Sequence, residues 1–70
     1  MQVRGWSESA VRSWLSGLSP ALASYSGAFA ENAVTGEVLL SIQDEDLITM
    51  GVTNRLHRVR MLKELAKLKE

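Results

Sequence analysis

Apolar residues in this chain recur at three- and four-residue intervals, and no stretch alternates apolar with polar over the length of a strand. Val11, Trp14, Leu15 and Leu18 stand at i, i+3, i+4 and i+7, one face of a helix with 3.6 residues per turn. With 70 residues and no cysteine, the chain has to close its core by packing such faces together, without disulfides or thiolate-bound metal. Ser7 is placed to cap the first helix, with Glu8 in its first turn. Ser19-Pro20 then punctuates the chain, and Pro20 suits the first position of a second helix, whose stripe is Leu22, Tyr25 and Phe29 and whose end frays near Asn32.

Three more helices follow. Thr35-Gly36 opens a short third helix containing Val38, Leu39 and Leu40. A short fourth starts near Gln43 or Asp44, with three acids in its first turn, and Gly51 is placed to end it as a left-handed cap. Thr53 is the expected cap of the fifth and longest helix, roughly residues 54 to 69, rich in Leu, Lys, Arg, Glu and Ala. The expectation is an all-α, compact orthogonal bundle of five helices with a long C-terminal helix. Met1 to Gly5 carries no signal-peptide apolar stretch and reads as an extension or linker before a domain spanning residues 6 to 70. The longest apolar runs are far short of the roughly 20 residues that span a bilayer, and the absence of cysteine fits a reducing compartment. A soluble, cytoplasmic protein without membrane insertion is expected.

The charges sum to zero but are segregated along the chain. Between Ser13 and Asn54 stand five acids (Glu31, Glu37, Asp44, Glu45, Asp46) and no Lys or Arg. From Arg55 onward six bases (Arg55, Arg58, Arg60, Lys63, Lys67, Lys69) outnumber Glu64 and Glu70. One reading is a neutral protein with ordinary solvated faces. The other is a molecule whose opposite poles attract one another. Nucleic acid is disfavoured as a partner because the acidic half repels phosphate.

Several spacings together resemble the sterile alpha motif (SAM) family. Trp6 begins the matching region. Val11-Arg12-Ser13-Trp14-Leu15 is similar to the V-x-x-W-L of its first helix, and Tyr25 to Phe29 to Y-x-x-x-F. Gly36-Glu37-Val38-Leu39-Leu40 fits G-x-x-L-L, and Asp44 to Val52 resembles E-D-L-x-x-x-G-I/V. His57-Arg58 stands where the family has G-H-R, with Leu56 in place of the glycine, as in scaffold-type members. An apolar Ile48 occupies a position that is usually polar. The resemblance covers Trp6 to Leu68 and implies a five-helix bundle whose usual business is binding other SAM domains.

No catalytic constellation is legible, so an enzyme is not expected, nor a cofactor, metal or small-molecule substrate. A single histidine, His57, cannot assemble a metal site and reads as a packed or capping imidazole. Asp44-Glu45-Asp46 lacks the glycine and terminal glutamate of a calcium loop, and acids at a helix N-terminus are explained by the helix dipole. The five glycines are scattered, with no phosphate-binding loop, and the N-terminal serines have no base to activate them. Trp6 and Trp14 read as core anchors.

The last helix carries more information. At 100° per residue, Met61, Leu62, Leu65 and Leu68 mark its core side, whereas Leu56 falls opposite, beside Arg60, Lys63 and Lys67, with Val59 nearby. Thr53, Arg55, Leu56, Val59, Arg60 and Lys63 are therefore candidates for one docking face, unless loops or the N-terminal segment cover them. Glu37, Val38, Asp44, Glu45 and Ile48 are candidates for its complement, with Leu47 and Met50 turned inward. The family resemblance implies pairing of such a mid-loop surface with the end-helix surface of the next molecule. That contact is heterologous, and when repeated it gives an open chain. The expected partner is this domain itself or another SAM domain. RNA hairpin binding through Arg12, Arg58, Lys63 and Lys67 is the alternative from a different class.

Overall fold

The computed structural model describes residues 2–69, all helix, turn and loop among those residues. A single 3-10 turn, Val3–Gly5, precedes α1 (Glu8–Leu18), α2 (Pro20–Ala23), α3 (Ser26–Glu31), α4 (Gly36–Ser41), α5 (Asp44–Thr49) and α6 (Arg55–Leu68). α2 and α3 are two pieces of the second of five helices, so the five-helix architecture stands, with one helix broken.

The break has a local cause. The Ser24 and Ser26 hydroxyls donate to the carbonyls of Ala21 and Ala23, at 2.7 and 2.8 Å. Such side-chain bonds compete with helix propagation. Tyr25, between them, leaves helical geometry (φ −90°, ψ 3°). Its hydroxyl bonds His57 Nδ1 on α6, and the two rings meet edge to face with centroids 5.4 Å apart. The imidazole is a packed side chain that ties the broken helix to α6.

The remaining elements begin and end where short polar residues dictate. Ser7, Ser19 and Thr35 accept at their side-chain oxygens from the N–H groups of Ala10, Leu22 and Val38, capping α1, α2 and α4. Asp46 reaches back to the Gln43 N–H at 2.8 Å and closes the first turn of α5. Gly51 ends α5 at φ 98°, the left-handed region that a Cβ disfavours. The cap of α6 is Asn54, not Thr53. Asn54 Oδ1 accepts from both Leu56 and His57 N–H, at 2.9 and 3.3 Å, and Asn is the stronger N-cap of the two.

The enclosed core takes one or two residues from nearly every element: Val11 and Leu15, Leu22, Phe29, Val34, Leu39, Leu47, Val52, Met61 and Leu65. Trp6, Trp14, Leu62 and Leu68 pack against its edge without being enclosed. The N-terminal segment expected to be an extension is packed in. Val3 is buried, Trp6 O accepts from Gly36 N–H at 3.0 Å, and α4 lies against the 3-10 turn. Gly36 is what lets the two backbones meet, because a Cβ there would stand 1.7 Å from the Val3 carbonyl oxygen. Gly36→Ala is expected to force the N-terminal segment off α4. The cost is about 2–3 kcal/mol, the upper part of the range for overpacking a core. A thermal melt should show a loss of roughly 10 °C or more; a melting temperature within about 2 °C of the parent would show that the segment is not integral.

Candidate interaction surfaces

On α6 the angular order of the side chains decides what faces outward. Arg58, Met61 and Leu65, at i, i+3 and i+7, point inward and are buried. Leu56 lies about 200° from Arg58 around the helix and is 71% exposed. Val59, on the same outer side, is 42% exposed, so neither the loops nor the N-terminal segment covers the apolar pair. Thr53, Arg55, Arg60 and Lys63 are all exposed. Arg60 also donates to the Leu18 carbonyl at the end of α1, at 3.3 Å. Lys67 bonds Glu64 at 2.9 Å and holds that carboxyl below its ordinary pKa. Partial burial opposes the shift, and the charges of Arg60 and Lys63 add to it. This small preference for the folded state is present at neutral pH and is lost as pH falls through the lowered value.

Arg58 is not a surface base. Its Nη1 donates to the carbonyls of Val52 and Thr53 at 2.9 and 3.0 Å, and its Nε donates to Asp44 Oδ1 at 2.8 Å. One guanidinium therefore joins the start of α6, the turn after α5 and the first residue of α5. The sequence carries the signal, since Arg58 falls on the Met61–Leu65 face, but its charge places it among the bases of the RNA-binding alternative. Asp44, assigned by sequence to the outer acidic rim, is half exposed and already paired within its own molecule.

The other surface is built from α4 and α5. Val38 (44%) and Ile48 (47%) are exposed, as are Glu37 and Glu45. They do not form a single patch. At 100° per residue Ile48 shares a flank of α5 with Asp44, whereas Asp46, Thr49 and Met50 turn to another. On that second flank an open groove of about 290 Å³ runs between α4 and α5, floored by Val34, Val38, Ile42 and Met50. Asn32, Ser41, Asp46 and Thr49 form its polar rim. The groove depends on how two short helices lie against each other, and no spacing in the sequence announces it.

Val38, Ile48, Leu56 and Val59 are the exposed large apolar residues among those described. They fall two and two, one pair among bases and one among acids. Ion pairs among the described residues are Arg58–Asp44 and Lys67–Glu64, so Arg55, Arg60, Lys63, Glu37, Glu45 and Asp46 have no ion-pair partner there. No three His, Asp or Glu side chains group to hold a metal among the described residues, and no helix there is long and apolar enough to cross a membrane.

A small helical domain with exposed apolar residues set among bases on one helix and among acids on two others has the surface of a protein-interaction module, and the comparisons specify which. The family model for the SAM domain (sterile alpha motif) matches residues 4–69, so the chain belongs to the SAM domain family. Its structure resembles the SAM domain of mouse bifunctional apoptosis regulator with a TM-score of 0.84 at 30% identity, over 93% of this chain and 74% of that one. Among curated proteins it is similar to mouse Kazrin, 42% identical over 57 residues and 80% of this chain. Human SH3 and multiple ankyrin repeat domains protein 2 is 36% identical over 63 residues and 90% of this chain. Zebrafish NAD(+) hydrolase SARM1 is 37% identical over 68 residues and 96% of this chain. The chain spans only 7%, 3% and 9% of those three proteins. The shared unit is a non-catalytic interaction fold.

Arg58→Ala is expected to leave the Val52 and Thr53 carbonyls and Asp44 without their donor. The cost should be about 2–4 kcal/mol, the range for stranding buried polar groups and the partner of a part-buried ion pair. Arg58→Lys should recover only part of it, because an ammonium lacks the planar fork that spans the carbonyls and the carboxylate. Chemical denaturation of the three proteins checks this, and a lysine variant as stable as the parent would refute the fork argument.

Proposed function

We propose that this domain associates head-to-tail with copies of itself, or with another SAM domain, through the end of α6 on one molecule and the α4–α5 surface on the next. Thr53, Arg55, Leu56, Val59, Arg60 and Lys63 make the first face, and Glu37, Val38, Asp44, Glu45 and Ile48 the second. The carrying observation is the pairing of exposed apolar residues with charges of opposite sign that have no ion-pair partner within the domain. Exposed single hydrophobes are ordinary, but an apolar centre with a charged rim is the anatomy of an interface. Opposed charges steer the encounter and fix its register, and burial of Leu56 and Val59 supplies affinity. Because the two faces differ, each molecule can hold one neighbour at either end and build an oligomer or a helical polymer. We assign this assembly to the cytoplasm, as part of a scaffold or signalling protein.

RNA hairpin binding loses support, because Arg58 is spent on internal carbonyls and Lys67 is paired with Glu64. Hairpin RNA is expected to bind weakly and without sequence preference; tight, sequence-dependent binding at physiological salt would reverse that ordering.

Analytical ultracentrifugation tests the association. The sedimentation coefficient should grow with protein concentration and fall with added salt, as facing charges are screened over about 8 Å at physiological ionic strength. Leu56→Glu or Val59→Glu should disable one face, and Glu37→Arg or Glu45→Arg the other, each leaving a folded monomer, since all four positions are exposed. Asp44→Arg suits this purpose less well, because Asp44 also holds Arg58. Mixing one variant of each kind should give a heterodimer that grows no further. A mixture that stays monomeric while the parent assembles would mean the faces are wrongly assigned. A parent that stays monomeric at high concentration would leave a foreign SAM domain as the partner.

A further inference from the structure

We infer that the seat for a second copy's Leu56 is the groove between α4 and α5, floored by Val34, Val38, Ile42 and Met50, and not the flank of α5 that carries Ile48. The inference rests on the head-to-tail reading and gives it a location. Among the described residues Leu56 is the most exposed large apolar side chain, and it stands on the first turn of α6. The groove is the concave partner such a knob needs. Its floor is aliphatic and contains no charge, and its volume of about 290 Å³ admits a leucine side chain. By contrast, Ile48 is a second convex knob on a six-residue helix, and two knobs bury little of each other.

Charge selects the occupant. Asp46 lies on the groove rim with one carboxylate oxygen held by the Gln43 N–H, which leaves the other for an incoming cation. Glu37 and Glu45 stand exposed on the same two helices. The bases around Leu56 are Arg55 beside it and Arg60 one turn on, both exposed and without an ion-pair partner among the described residues. A leucine flanked by arginines therefore meets an aliphatic trough edged by the Asp46 carboxylate, with Glu37 and Glu45 exposed on the same two helices, and a second copy of this chain supplies that complement. Ser41 and Thr49 on the rim carry no charge to oppose it.

The chain has no cysteine, so single cysteines report proximity cleanly. Leu56→Cys mixed with Ser41→Cys under a mild oxidant should give a disulfide-linked dimer. That cross-link should form at least about tenfold faster than with Ile48→Cys, because a disulfide needs Cβ atoms within about 4.5 Å. Ser41→Phe, at an exposed position on the rim, should fill the groove, keep the parent's melting temperature and abolish growth in sedimentation. Leu56→Ala should weaken association about 10- to 100-fold, the effect of losing the burial of a few methylene-sized groups. Cross-linking that favours Ile48→Cys, or a Ser41→Phe variant that assembles like the parent, would overturn the groove while leaving the head-to-tail reading intact. A parent that is monomeric throughout would overturn both.

Discussion

The guanidinium of Arg58 fixes the relation between the last helix and everything before it. The turn from Gly51 to Asn54 is irregular backbone whose carbonyls at Val52 and Thr53 cannot find partners in a helix. Arg58 satisfies both from inside with Nη1 and uses Nε on Asp44, so the starts of α5 and α6 are pinned to one planar group. No buried side-chain nitrogen or oxygen among the described residues is left without a partner. Because Arg58 is held inward, helix geometry sends Leu56 to the far side, whatever its own preference for burial. The exposed apolar knob is thus a consequence of how the helix is anchored.

The same economy runs through the rest of the domain. A core drawn from so few residues is marginal, and each connection is tightened by a short-range device. Gly36 admits the N-terminal backbone to α4, Asn54 closes two orphan N–H groups of α6, and the Tyr25–His57 contact holds the broken second helix against the last one. In a domain this lightly stabilised, four large apolar side chains left in water run against the stability of the isolated molecule. They make sense as surface kept for a partner, and binding to the folded form would return stability through mass action.

Electrostatic patterning is less legible in a sequence than hydrophobic patterning. The sequence divides acids from bases along the chain, but linear segregation does not say which charges meet inside the molecule. Asp44 and Arg58 lie 14 positions apart and each reads as a surface charge, yet they pair with each other. Likewise Val38 and Ile48 belong to neighbouring helices, but of the two only Val38 lines the groove between them.

The sequence by itself determined the helical fold, most helix ends, the family and the side of the last helix on which Leu56 and Val59 lie. Each of these follows from local rules: the 3.6-residue repeat, cap residues within three positions of the N–H groups they serve, and glycine at positive φ. The tertiary structure alone decided that Val3 belongs to the core, that Arg58 meets Asp44 and the Val52 and Thr53 carbonyls, and that α4 and α5 enclose a groove. Those features depend on the relative placement of groups far apart in the chain, which spacing along a single sequence does not encode.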